Sequence, residues 1–199
     1  MKAFHIPGAS PLFTNTFLLI SEAKHAVAID PAADAAAYNK ILAQEGAVLT
    51  DIFCTHGHYD HVGAAMELRE KWNAKLWCEP CDAVGSDMFP LPYADSGYVE
   101  GGKIEVDELT FRVWHTPGHT KGSVCILCGD YFFTGDTLFA GDTGRTDLPG
   151  GSFEEMVESC KKLMRLPVPA EAKVLPGHEE FSSYAYEMEH NSFINAVCR

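Results

Sequence analysis

The chain predicts a mixed α/β fold with a sheet-on-sheet core covered by helices. Three observations predict it. Short apolar and β-branched runs recur along the whole length, most of them closed by glycine or proline turns. Stretches with helical spacing are inserted between them, and no repeat, low-complexity tract or linker interrupts the pattern. Many strands with interspersed helices pack as sheet on sheet with helical cover. The length of 199 residues fits one domain, spanning residues 1–199, and suffices to bury a sizeable core.

Taken in order, residues 2–5, 15–20 and 26–29 read as short strands separated by turn residues. Residues 34–45 are alanine-rich with apolar spacing and read as a helix. The run 48–54 is a strand that stops at a histidine cluster, and residues 62–72 resume as a helix with Met66 and Leu68 among charges. Residues 75–78 and 104–106 are short strands on either side of a Pro- and Gly-bearing segment, 85–102, that could border a pocket. Residues 109–115, 123–127 and 131–134 are three more strands, each closed by a glycine turn. Residues 153–166 form a helix opened by Ser152 as N-cap, with Glu154 and Glu155 favoured in its first turn by the helix dipole. A last strand, 173–175, leads into Pro176-Gly177-His178.

Composition excludes several classes. No apolar stretch approaches the roughly 18 residues that span a bilayer. The first twenty residues lack the long apolar region of a secretory signal, so a cytoplasmic address is expected. The formal charge is −13, from 15 basic and 28 acidic residues, and no basic stripe is present to engage a nucleic-acid backbone. Seven cysteines cannot all pair, which fits reduced thiols rather than a disulfide scaffold. The pairs Cys78/Cys81 and Cys125/Cys128 superficially spell a two-knuckle zinc site. The second pair lies in a predicted strand, where positions three apart face opposite sides and cannot readily share one ion, so this reading is set aside.

The chemistry-bearing residues are concentrated elsewhere. Thr55-His56-Gly57-His58-Tyr59-Asp60-His61 packs three histidines and a carboxylate into six positions, and His119, Asp136 and His178 follow in separate glycine-bearing turns at strand ends. Imidazole and carboxylate at such spacing, outside any helical period, suit side chains wrapped around zinc, iron or manganese. Four ordered clusters on glycine turns outweigh the alternative of ordinary packed histidines. His5, His25, His115 and His190 have no such context and read as packing or surface residues.

His56-Gly-His58-Tyr-Asp60-His61, Thr116-Pro-Gly-His119-Thr120, Gly135-Asp136-Thr137-Leu138-Phe139 and Pro176-Gly-His178 together resemble the metallo-β-lactamase superfamily over nearly the whole chain. The resemblance implies an αββα four-layer sandwich with a metal site at one edge. It implies two divalent metal ions, zinc first and iron or manganese as alternatives. His56, His58 and His119 would serve the first, Asp60, His61 and His178 the second, and Asp136 would bridge. Gly135-Asp-Thr-Leu-Phe-Ala-Gly141 and Gly144-Arg145-Thr146-Asp147 are similar to the glyoxalase II-like group, and Ser182-Ser183, Glu187, Asn191 and Phe193 agree with its short members. Two positions depart from that pattern: Glu179 stands where a glycine is usual and Ser192 where a proline is usual. Glyoxalase II proper continues into a helical recognition domain, whereas this chain ends at Arg199, so the short single-domain members are the better match and glutathione is not implied as the thiol carrier.

A paired metal site holds water between cations roughly 3.5–4 Å apart and lowers its pKa toward neutrality, giving a nucleophile without a strong base. The function implied is hydrolysis of a small thioester, whose thiolate is a good leaving group, with Asp60 within reach to orient the water. Arg145 could clamp a substrate carboxylate or pair with Asp142 or Asp147. Tyr59 would shape the loop, and Tyr93 and Tyr98 would line or fill a pocket. Competing readings are a mononuclear iron persulfide dioxygenase using His56, His119 and Asp136, a hydrolase of lactones or other esters, a β-lactam hydrolase, and an idle metal-binding module. The oligomeric state is left open.

Overall fold

The structure is a computed structural model and describes residues 1–198. One sheet takes the first five strands in sequence order: β1 (Lys2–Pro7), β2 (Asn15–Ile20), β3 (His25–Ile29), β4 (Val48–Phe53) and β5 (Lys75–Trp77). Its first three strands pair antiparallel, and β3, β4 and β5 run parallel. Parallel neighbours need crossovers, and these are supplied by α1 (Ala35–Glu45) and α2 (Ala65–Trp72). Helix α1 starts where Asp34 accepts the Ala36 amide at 2.8 Å and stops where Gly46 takes up φ +62, a left-handed cap that glycine adopts without a Cβ clash.

The second sheet has the order β11 (Ser182–Ser183), β10 (Lys173–Pro176), β9 (Tyr131–Gly135), β8 (Val124–Cys128), β7 (Leu109–His115) and β6 (Lys103–Val106). Only β9 and β10 are parallel. Their crossover carries α3 (Phe153–Leu163), opened as expected by Ser152, whose Oγ accepts the Glu155 amide. Helices α4 (Tyr184–His190) and α5 (Ser192–Val197) complete the described chain.

Strand alternation sorts the apolar residues into three layers. Leu18, Ile20, Leu49 and Ile52 meet Tyr38 and Leu42 of α1 and Leu68 of α2 on the outer face of the first sheet. Phe17, Leu19, Val27 and Phe53 meet Phe111, Val113, Ile126 and Phe133 between the sheets. Trp114, Leu127, Phe132 and Val174 meet Met156, Cys160 and Leu163 of α3 together with Tyr184 and Ile194 on the far side. The result is the predicted αββα sandwich.

Several boundaries differ from the sequence reading. Residues 62–64 form a turn rather than the first turn of α2, because the Ala64 amide donates to Pro31 O at 2.8 Å on the opposite loop. Helix α3 ends at Leu163 rather than at position 166, since Pro167 disfavours helical backbone at the residue before it. The strand β8 is shifted by one residue. The tail elements β11, α4 and α5 carry no period that the sequence shows. They are only two, seven and six residues long. Their motif residues tie the tail to the loop after Asp136. Buried Glu187 accepts the Gly141 amide at 2.8 Å, and Asn191 Nδ2 donates to Asp142 O at 3.0 Å. The Ser192 amide donates to Gly141 O at 2.9 Å, a bond that a proline there could not make.

Candidate metal centre

All seven predicted residues converge at one edge of the sandwich, in loops that leave the ends of β4, β7, β9 and β10. Parallel register explains the convergence. Ile29 pairs with Phe53 and Gly135 with Pro176, so each parallel pair delivers its two following loops side by side. The Thr55 carbonyl accepts the Val124 amide at 2.8 Å, stitching the two sheets together beneath the site.

Three sets of side chains have potential ligand atoms within 4.8 Å of one another: His56, His58 and His119; His56, His61 and Asp136; and Asp60, His61 and His178. His58 Nδ1 lies 2.9 Å from His119 Nε2, and His61 Nε2 lies 3.4 Å from His178 Nε2. Asp136 sits between the sets, with Oδ1 3.3 Å from His61 Nε2 and Oδ2 3.3 Å from His119 Nε2. Asp60 Oδ2 is 3.2 Å from His178 Nε2.

The outward nitrogens are tied down, which turns lone pairs inward. His119 Nδ1–H donates to Arg145 O at 2.8 Å, and His178 Nδ1–H donates to Leu12 O at 3.2 Å. His61 Nδ1–H donates to Asp30 Oδ2 at 3.1 Å. Thr55 Oγ1 gives its own hydrogen to Asp30, leaving its lone pair for the His56 Nδ1–H at 3.2 Å. Among the described residues His56 Nε2 is buried with no hydrogen-bond partner, and Asp136 Oδ1 has only His61 Nε2 at 3.3 Å. A buried polar atom without a partner is costly, and a cation bound here would satisfy it. The donor set fits a divalent metal.

Charge is divided unevenly across the site. Burial and the surrounding imidazoles press His56 well below the ordinary histidine range and bring His58 down to about 4. Against the penalty of burial, Asp136 and Asp30 lift His61 well above that range, and Asp60 and Asp136 lift His178. Burial also opposes ionisation of Asp136 and Asp60, but His61, His119 and His178 hold Asp136 well below the usual carboxylate range, and His178 and His61 lower Asp60.

Two buried carboxylates that the sequence reading missed hold the loops together. Asp30, at φ +46, accepts both the amide and the hydroxyl of Thr55 at 2.6 Å besides His61. Asp82 accepts the Gly57 and Gly122 amides at 3.2 Å and the Thr120 hydroxyl at 2.6 Å, joining the first histidine loop to the His119 turn. Asp30 directly follows a predicted strand, the one local signal available for it. Asp82 sits in a 3₁₀ turn that carries no such mark. Gly57 permits this approach, since a Cβ there would lie 1.9 Å from Asp82 O.

The ligand cluster opens into a cleft of about 470 Å³ lined by apolar Leu12, Met88, Phe139 and Leu148 and by Tyr59, Arg145 and Glu179. Met88 belongs to the segment expected to border a pocket, and the adjacent Phe89 stacks on His58 with ring centroids 4.8 Å apart. Arg145 pairs with Asp147 through two bonds of 2.6 and 2.7 Å, the structural partnership rather than a free clamp. Tyr98 fills the core, and Tyr93 lies under Arg69. Among the described residues the metal-capable clusters contain no cysteine, and burial pushes the Cys125 thiol up to about 12, away from the thiolate a metal requires.

A family model described as the metallo-beta-lactamase superfamily matches residues 9–178. The probable metallo-hydrolase YqgX of Bacillus subtilis is 32% identical over 98% of both chains. The hydroxyacylglutathione hydrolase GloC of Haemophilus influenzae is 30% identical over 92% of this chain and 93% of its own. Among solved structures, the B3 metallo-beta-lactamase BLEG-1 superposes with a TM-score of 0.87 at 30% identity, covering 98% of this chain and 100% of its own. ETHE1 from Myxococcus xanthus superposes at 0.83 and 32%, covering 100% of this chain and 85% of its own. TTHA1623, solved in a di-iron-bound form, superposes at 0.81 and 31%, covering 96% and 99%.

Proposed function

The chain belongs to the metallo-β-lactamase superfamily, and from that premise we propose that it is a binuclear metallohydrolase of small acyl thioesters. The observation that carries the binuclear reading is Asp136, whose two oxygens face His61 and His119 at 3.3 Å each and so span the two ligand sets. His56, His58 and His119 would hold one divalent ion and Asp60, His61 and His178 the other, with Asp136 lying between the two sets. Two divalent ions held by these residues would supply an activated water as nucleophile near neutral pH and a Lewis acid for the substrate carbonyl. Asp60, lowered in pKa and so ionised, accepts a hydrogen bond from the attacking water and orients it. Leu12, Met88, Phe139 and Leu148 line the cleft with apolar surface that shelters the acyl group. A thiolate leaves without protonation, so this reading asks the protein for no general acid. The hydroxyacylglutathione hydrolase at 30% identity supports the thioester class.

A second reading rests on His119 and Asp136, 3.3 Å apart, which with His56 offer the two-histidine, one-carboxylate set of mononuclear iron oxygenases. Metal content of protein purified without added metal separates the two. Two ions per chain, falling to one in His61→Ala, together with hydrolysis of S-lactoylglutathione or simpler thioesters, is the expected result. One iron per chain, unaffected by His61→Ala, with oxygen consumed in the presence of a thiol persulfide, overturns it. We further propose that the protein works in the cytoplasm on a small-molecule substrate, without nucleic-acid or membrane partners. Among the described residues no helix is long and apolar enough to cross a membrane.

A further inference from the structure

Glu179 lies at the mouth of the cleft, directly after His178, in a backbone conformation with φ +67 that favours glycine. The strained backbone is held in place: Asn15 Nδ2 donates to Glu179 O at 3.0 Å, and the Asn15 amide donates to Gly177 O at 2.6 Å. Among the described residues the Glu179 carboxylate itself has no hydrogen bond or ion pair. A side chain kept where glycine would relax the chain, and left without a partner, is available to a ligand.

The rest of the rim does not offset its charge. Among the described residues Arg145 is the only cationic side chain lining the cleft besides the histidines, and Asp147 already engages it through both arms of its fork. The whole chain carries a formal charge of −13, so the long-range field adds to the local one. At the rim an arriving carboxylate meets Glu179 and an arginine already paired to Asp147, whereas bound ions would place their positive charge at Asp60, Asp136 and the histidines.

Resting on the thioester reading above, we infer that Glu179 sets the substrate class, disfavouring thioesters of carboxylate-bearing thiols and favouring those whose thiol is uncharged or carries a cationic amine. The acyl group sits toward the metal ligands, and the thiol portion extends past Glu179 to solvent.

The test uses metal-loaded full-length protein and three acetyl thioesters of different thiol charge: S-acetylglutathione (anionic), S-acetyl-N-acetylcysteamine (neutral) and acetylthiocholine (cationic). The readout is the ratio of kcat/KM values between them for the parent, Glu179→Gln and Glu179→Lys. The anionic-to-cationic ratio is expected to rise by about fivefold in Gln and by about twentyfold or more in Lys, as expected for removing and reversing one charge near the substrate. The parent's preference should also weaken as ionic strength is raised. Glu179→Gly removes the carboxylate and the backbone strain together, and should shift the ratio like Gln while raising Tm. Ratios that stay within about twofold across Gln, Lys and Gly overturn the role of Glu179 and leave thioester hydrolysis standing. Failure of the parent to cleave any of the three overturns the thioester reading, and this inference with it.

Discussion

Asp30 and His61 lie 31 positions apart in sequence, yet Asp30 Oδ2 accepts the His61 Nδ1–H at 3.1 Å while the same carboxylate holds the amide and hydroxyl of Thr55. One buried side chain therefore fixes the tautomer of a ligand on the second set and the backbone entering the first histidine loop. Asp30→Ala leaves three buried donors without an acceptor, and a loss of about 3–5 kcal/mol is expected from urea denaturation. Asp30→Asn keeps part of the bonding, and should lower metal affinity about 10–100-fold with a smaller loss of stability.

Metal loading should release protons unevenly. His56 is pressed well below the ordinary histidine range and His58 to about 4, so at pH 7 both are already neutral and give up no proton. Against the penalty of burial, Asp136 and Asp30 lift His61 well above that range, so an ion at its Nε2 competes with a proton. The second ion is expected to release about one proton or more at pH 7, and its affinity should climb more steeply than the first ion's between pH 5 and 7. Calorimetry in buffers of different ionisation enthalpy measures both, and His61→Ala should abolish the release assigned to the second ion.

Gly177 admits no side chain. A Cβ there would lie 2.4 Å from both Asp136 Oδ1 and His61 Cε1. Gly177→Ala is expected to push the Asp136 carboxylate off its position and to cost about 1–3 kcal/mol of stability. Metal content measured on the purified variant should fall well below that of the parent. A variant with full metal content and unchanged activity would refute the packing argument.

Removing metal should destabilise the whole fold rather than the loops alone, because the candidate ligands follow strands of both sheets. With free metal at about a thousand times Kd, binding contributes about 4 kcal/mol. For a chain of this size that corresponds to a fall in Tm of roughly 8–16 °C on chelation. A scan with and without chelator checks it, and re-addition of metal should restore the original transition.

Much of this protein was legible locally. Short apolar and β-branched runs closed by turns marked most of the strands, alanine-rich spacing marked α1, and Ser152 marked the start of α3. The seven His and Asp residues of the site were visible as four clusters on turns, because turn chemistry and residue type are properties of a few neighbouring positions. Which of them meet was not visible as geometry. The grouping of His56 with both His58 and His61, and the place of Asp136 between His61 and His119, follow from the parallel register of β3 with β4 and of β9 with β10. Asp30, Asp82 and the clamp of Glu187 and Asn191 on the loop at 139–142 likewise lie 25 or more residues from most of the groups they bind. The sequence by itself determined the layered class and the candidate donors of a metal site, since both are set by local patterning and by side-chain chemistry. Tertiary structure alone decided the order of the strands, the pairing of the donors and the unpartnered charge of Glu179, since those depend on which distant segments are brought within hydrogen-bond distance.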